Sequence, residues 1–304
     1  MRNAFINTVL DACKVRDDIF ILSGDAGLGV FDQFKEEYPE RFRNMGIAEQ
    51  NTISFAAGLA LTGYKVFIYN IIPFLLYRCY EQVRNDICYQ ELPVVLVGIG
   101  SGITYAPMGM SHYSVEDIGL VQTLPNLTTI SPMDPVEARV AASYVLDCGR
   151  PTYVRLAKRG EPIYHFDRNF DITAPQLIRD GADTAVVFHG SISSEVVAAY
   201  DVLSARGCAP FVISVPTVQP LDAASLLAML STVHHVVCVE EHFTNCGLGS
   251  MLARLKAGQA AGWKLTCMGI PPHFIHKIGK TERLRSSFGI STAEIVHAVE
   301  SAAD

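Results

Sequence analysis

The chain alternates short, continuously apolar runs with longer amphipathic or buried helical ones. In its first half the strand candidates are DIFILSG (18–24), KVFIY (65–69), PVVLVGIG (93–100), LTTISP (127–132) and PTYVRLA (151–157). Helical stretches lie between them, at 2–15, 47–62 with Gly63 as its stop, 75–90, and 134–148 opened by Asp134-Pro135. Strands that are apolar throughout have no face left for solvent, and helices between them imply crossover connections. The pattern therefore predicts parallel sheets covered by helices on both faces, a three-layer α/β class. Residues 159–181 interrupt it with a polar, proline-containing stretch of no clear period, the composition of a linker. The alternation resumes with TAVVFHG (184–190), APFVISV (209–215), HHVVCVEE (234–241) and WKLTCMG (263–269). Two α/β domains are expected, 1–165 and 181–304, with 166–180 as the linker.

A length of 304 residues is enough for two domains with cores of their own. A hydrophobic content of 49% with 18% charged residues is ordinary for a globular protein. The net charge of −7 offers no basic footprint for nucleic acid, and KTERLR (280–285) reads as a solvated helix face. The longest apolar stretch, VFIYNIIPFLLY (66–77), falls short of the roughly 20 residues a membrane span needs and carries Asn70 and Pro73. No membrane segment is expected. The N-terminus shows neither the apolar region nor the cleavage site of a signal peptide. Eight scattered cysteines without a CxxC pair suggest reduced, mostly core thiols in a cytoplasmic chain with no structural metal site.

Candidate chemistry sits at a few turns. SGDAGLG (23–29) follows a strand, but its spacing is not GxGxxG and no Walker lysine follows. GIGSG (98–102) is either a strand-end turn or a pocket wall where glycine lets a ligand approach the backbone. Glu49, in NMGIAEQNT (44–52), also has two readings. As an exposed first-turn glutamate it gains about 0.3–1 kcal/mol from the helix dipole. If it is buried, desolvation raises a carboxyl by roughly 3–5 pKa units, at about 1.4 kcal/mol each, and dominates. Such a carboxyl would hold or share a proton and suit a heterocyclic nitrogen. His112, in GMSHYSVEDIG (109–119), lies after a strand and its glycine-rich turn, where open α/β folds place ligands. It is a general acid/base candidate, or else a loop histidine without chemistry. Glu116 and Asp117 read as the acidic opening of a helix.

Taken together, NMGIAEQNTISFAAGLALTGYKVFIY, YEQVRNDICYQELPVVLVG and SHYSVEDIGLVQTLPNLTTISPMDP resemble the pyrimidine-binding domain of thiamine-diphosphate transketolases. VVCVEEHFTNCGLGS and GIPPHFIHKIGKTERLRSSFGISTAEIVHAV resemble that family's C-terminal domain. The likeness runs in order along nearly the whole chain. It is strongest to the separately encoded C-terminal half of split transketolases and to the matching part of deoxyxylulose-phosphate synthases. The resemblance implies that Glu49 reaches N1′ of the aminopyrimidine and favours the imino tautomer, whose nitrogen removes the thiazolium C2 proton. It implies further that Asp25 lies near the thiamine part, and that Phe74, Leu75 or Tyr77 forms the wall behind the pyrimidine. By the same likeness His112 faces the reacting sugar, and Arg155 or Lys158 meets an acceptor phosphate. An interdomain ion pair is the alternative for either cation. His242 falls near the domain interface without an assigned role.

The family's Gly-Asp-Gly motif for diphosphate and Mg²⁺, with its downstream Asn, belongs to a domain for which this chain has no room. The resemblance therefore implies an N-terminal-half partner subunit that holds the diphosphate and Mg²⁺, in a heterotetramer of two pairs. Two positions depart from the family. Met108 stands where an acid contacts a substrate hydroxyl, and a second histidine is replaced near Gly100. The substrate is then expected to be a modified or nucleotide-linked sugar rather than an ordinary pentose phosphate. Two other readings remain open: the β subunit of a 2-oxo acid dehydrogenase, and a non-catalytic paralogue.

Overall fold

The computed structural model describes residues 1–27, 29–158, 160–165 and 169–303. Of the expected linker, residues 166–168 lie outside them. In chain order the strands are β1 (Ile19–Ser23), β2 (Phe42–Asn44), β3 (Lys65–Ile71), β4 (Val94–Ile99), β5 (Thr128–Ile130) and β6 (Thr152–Leu156). They continue with β7 (Gln176–Arg179), β8 (Thr184–Phe188), β9 (Phe211–Ser214), β10 (Thr217–Gln219), β11 (His235–Phe243) and β12 (Lys264–Ile270). The first sheet has the order β10-β5-β6-β4-β3-β1-β2, the second β12-β11-β8-β9-β7. All pairings are parallel except β10 with β5 and β7 with β9. The central strands β1, β4, β6 and β8 are buried at every position, because helices cover both faces.

Three strands escape a reading by apolar runs. β2 and β10 have three residues each, too short to show a period. β7 falls inside the stretch expected as linker, and as an edge strand it is only half-buried. β10 also comes from the later part of the chain and joins the first sheet by pairing with β5. One helix differs in kind. In place of a helix over 75–90 stand two π-helical runs, Pro73–Tyr77 and Val83–Cys88, around the single α-turn Tyr80–Gln82. Such widened turns concentrate at functional sites, and this one re-aims the side chains that follow β3.

Other helices meet their signals. Asp134 caps Pro135–Asp147 by accepting the amides of Val136 and Glu137 at 2.7 and 2.9 Å. All eight cysteines are free. Among the described residues no helix is long and apolar enough to cross a membrane.

Candidate active site

The carboxyl ends of β1, β3, β4 and β6 open at one edge of the first sheet, where parallel α/β sheets receive ligands. Asp25 stands exposed on the turn after β1. Glu49 begins the helix Glu49–Leu61 behind β2, and its side chain is 8% exposed. The π-helical turn after β3 carries Phe74 and Tyr77, with Arg78 at its end, and the loop after β4 carries Tyr105 and His112. Lys158 follows β6.

Side-chain contacts join six of these residues into one row. Arg78 Nη1 donates to Glu49 Oε2 at 2.8 Å, and the same guanidinium lies 4.8 Å above the Phe74 ring. Phe74 meets the His112 imidazole edge-on at 5.3 Å, and His112 meets Tyr105 at 5.9 Å. The Lys158 ammonium sits 4.8 Å from the centre of the Tyr105 ring. The row thus offers a carboxylate, an aromatic face, an imidazole and a cation in order. Burial holds His112 below its ordinary value, so the ring is neutral near pH 7 and can accept a proton. Its Nδ1 lies 2.9 Å from Ser111 Oγ.

Other expected site residues have different places. Leu75 is 1% exposed and packs in the core beneath β3, so it forms no part of a pyrimidine wall. Tyr77 is half-buried and donates its hydroxyl to Glu116 Oε2 at 3.0 Å. Gly100 has φ +94°, and a Cβ there would lie 2.2 Å from Tyr105 Cδ2. Tyr105 therefore fills the space a side chain at 100 would take. Met108 is 56% exposed at the loop surface.

Arg155 is a correction. Its side chain is fully buried, with Nε 2.7 Å from Asp117 Oδ2 and Nη2 bound to the carbonyls of Ser114 and Glu241 at 2.8 and 3.1 Å. It is a structural cation that reaches across both domains and is closed to a phosphate. Lys158, by contrast, is half-buried and lies over the Tyr105 ring. The acidic helix opening stands as expected, with Glu116 preceding and Asp117 beginning the helix Asp117–Val121. Asp117 is fully buried and also receives the Tyr153 hydroxyl at 2.7 Å, while burial raises the Glu116 carboxyl against the opposing bonds from Tyr77 and the Val115 amide. Arg285, in the run expected as a solvated face, is buried on Glu241 at 2.6 Å.

Arg78 and Tyr105 carry no signal of this placement in the sequence. The π-helical geometry places Arg78, whose amide bonds to Pro73 O at 3.2 Å, and a uniform helical period cannot reveal it. Beyond Lys158 the two domains border a cavity of about 410 Å³, lined in part by Thr104, Ser191, Ser194, Thr281 and Arg285.

Comparison with known proteins identifies both halves of the chain. Residues 1–161 match the family model for the transketolase pyrimidine binding domain, and residues 174–295 match the transketolase C-terminal domain. The chain belongs to the transketolase family. It is 32% identical over 299 residues to an apulose-4-phosphate transketolase subunit of Actinobacillus succinogenes, covering 97% of this chain and 96% of that protein. It is 30% identical to the 6-deoxy-6-sulfo-D-fructose transketolase subunit SqwH of a Clostridium species, over 98% of this chain and 92% of the relative. Among solved structures, a split gene transketolase in the form of an inactive beta4 tetramer superposes with a TM-score of 0.89 at 28% identity. That match covers 99% of this chain and 97% of the other. The two family domains thus account for residues 1–161 and 174–295 of the chain.

Proposed function

We propose that this chain is the C-terminal subunit of a split transketolase and transfers a two-carbon ketol unit from a ketose donor to an aldose acceptor with thiamine diphosphate. The observation that carries the proposal is the row Glu49–Arg78–Phe74–His112 at the carboxyl edge of a sheet that matches the family's pyrimidine-binding domain. The donor set fits the aminopyrimidine half of the cofactor: a nearly buried carboxylate for a ring nitrogen and an aromatic face beside it. When bound, the cofactor supplies the nucleophilic carbon and holds the electron pair left by C–C cleavage.

The chain's own residues do the rest. Glu49 holds the proton at N1′, Phe74 and Tyr77 orient and shield the ring, and neutral His112 moves a proton at the substrate's oxygen. Lys158 binds the anionic end of the acceptor. Among the described residues no group of three or more His, Cys, Asp or Glu side chains is placed to hold a metal. The diphosphate and Mg²⁺ are assigned to an N-terminal-half subunit, with two such pairs forming a heterotetramer.

For the substrate, the loop supports a modified sugar. Met108 offers no charge to a hydroxyl, and Tyr105 fills the space over Gly100. Relatives named for apulose 4-phosphate and 6-deoxy-6-sulfofructose point the same way.

Calorimetric titration of thiamine diphosphate with Mg²⁺ tests the assembly, first into this chain alone and then into a mixture with a candidate N-terminal half. Binding in the mixture only is expected, and tight binding by this chain alone would remove the partner from the reading. In the assembled complex, modified ketoses should turn over faster than xylulose 5-phosphate with ribose 5-phosphate. The reverse order would overturn the substrate class.

A further inference from the structure

The loop from Gly100 to Ser114 carries His112, and the second domain grips it at both ends. At the base, the Phe243 amide donates to Val115 O at 2.8 Å, and Arg155 spans the Ser114 and Glu241 carbonyls. Gly102, with φ +59°, seats against Glu241, whose Cβ would lie 2.6 Å from a Cβ placed there. Glu241 is in turn held by Arg285 at 2.6 Å and by the Ser191 hydroxyl at 2.5 Å.

At the apex the grip comes from the segment Pro271–Lys280. Tyr113, fully buried, directs its hydroxyl to Ala106 O at 2.7 Å and to Lys277 O at 3.0 Å. A phenol has one proton, so two carbonyls from different domains share it. Beside this bond Gly279 N donates to Ala106 O at 3.4 Å, and Ile278 packs against Gly109, where a Cβ would approach it to 3.2 Å. The imidazole of His112 meets two aromatic rings and a serine hydroxyl, and its amide donates to Gly109 O at 2.9 Å, so its backbone is tied only to its own loop and moves with it. Tyr113 is the next residue in the chain.

We infer that Tyr113 is a positioning residue, whose hydroxyl fastens the His112 loop to the Pro271–Lys280 segment so that the second domain sets where the imidazole stands. This deepens the functional reading above and rests on it for the role of His112. It also gives the second domain a task in the site without a catalytic group of its own. Removing the hydroxyl leaves the ring in its buried seat and two carbonyls without their shared donor.

The test uses Tyr113→Phe in the full chain, with Ile278→Ala as a second variant that trims the neighbouring contact with Gly109 from the exposed side. Amide hydrogen exchange in 103–113 and in 272–280 should speed up together by tenfold or more, with other segments changed less than twofold. The His112 Cε1–H NMR signal should move, while the thiamine diphosphate affinity of the assembled two-subunit complex stays within twofold of wild type. Exchange that rises throughout the chain, or not at all, would overturn the inference, as would an unmoved His112 signal. If the wild-type complex takes up no thiamine diphosphate, the functional reading fails, and the exchange and NMR results still decide how the loop is held.

Discussion

Arg78 stands between Glu49 and Phe74, bonded to the carboxylate at 2.8 Å and stacked over the ring at 4.8 Å. Both partners are groups that the functional reading gives to the aminopyrimidine. The guanidinium and the cofactor ring therefore compete for the same two places, and the cation is the one able to leave, since its side chain is 45% exposed. A partly exposed ion pair contributes about 0.2–1 kcal/mol, and a cation–π contact about 0.5–1. Arg78→Met should accordingly tighten thiamine diphosphate binding to the assembled complex, by about three- to thirtyfold. Weaker binding would show instead that Arg78 holds Glu49 in its working position. Glu49→Gln should leave affinity nearly intact and lower turnover by about 10²–10⁴.

Arg155 and Lys158 lie on the same strand-to-loop segment and should fail in opposite ways. Arg155→Met leaves Asp117 charged and buried without its cation, a change that costs about 3–5 kcal/mol. Denaturant unfolding of the isolated chain should register that loss directly. Lys158→Met removes only a half-buried ammonium over Tyr105, so stability should fall by less than about 1 kcal/mol. Its effect should appear in the KM for a phosphorylated acceptor, which should rise about tenfold or more for the loss of a charged hydrogen bond worth about 1.5–3 kcal/mol. An unchanged KM would take Lys158 out of the site.

How far the sequence reveals this site depends on the kind of signal each residue leaves. Runs such as PVVLVGIG mark parallel strands because both faces are buried, whereas β7, half-exposed at a sheet edge, looks like linker. Glu49 and His112 stand out through the motifs around them. Arg78 does not, because a π-helical turn places it and no period predicts one. Arg155 and Lys158 are equally basic by sequence, and only the packing of Asp117, Ser114 and Glu241 separates a buried structural cation from an available one.

Gly100 is a further point where packing decides. Gly100→Ala forces a φ of +94° on a residue with a Cβ and drives that carbon to 2.2 Å from the Tyr105 ring. The backbone strain alone costs about 1–3 kcal/mol. Displacing Tyr105 also disturbs the contacts it makes with His112 and Lys158. Turnover of the assembled complex should fall more than tenfold along with the loss of stability. Adding Tyr105→Ala should recover stability in part, because it opens the space while the strain at position 100 remains. No recovery would mean that the ring is not what limits this site.

Glu137 carries a pH dependence whose sign follows from its burial. It sits fully buried in the first turn of Pro135–Asp147, and its Oε2 accepts the Met133 amide at 2.7 Å. Burial raises its carboxyl from the ordinary 4.5 to about 8, against the opposing hydrogen bond from the Met133 amide. Below pH 4.5 the folded and unfolded chains both keep the proton, and this group gives no pH dependence. Between 4.5 and 8 the unfolded chain has released it and the folded chain has not. The unfolded state then binds fewer protons, so stability falls as pH rises, by up to about 1.4 kcal/mol per pH unit. Above about 8 the folded carboxyl ionises too and the slope from this group disappears. Glu137→Gln keeps the carbonyl for the Met133 amide and cannot ionise. The difference in unfolding free energy, variant minus wild type, should therefore grow in the variant's favour from pH 5 to pH 8 and level off above. A flat difference across that range would mean that Glu137 is ionised in the folded chain, with a cation or water supporting it at Oε1.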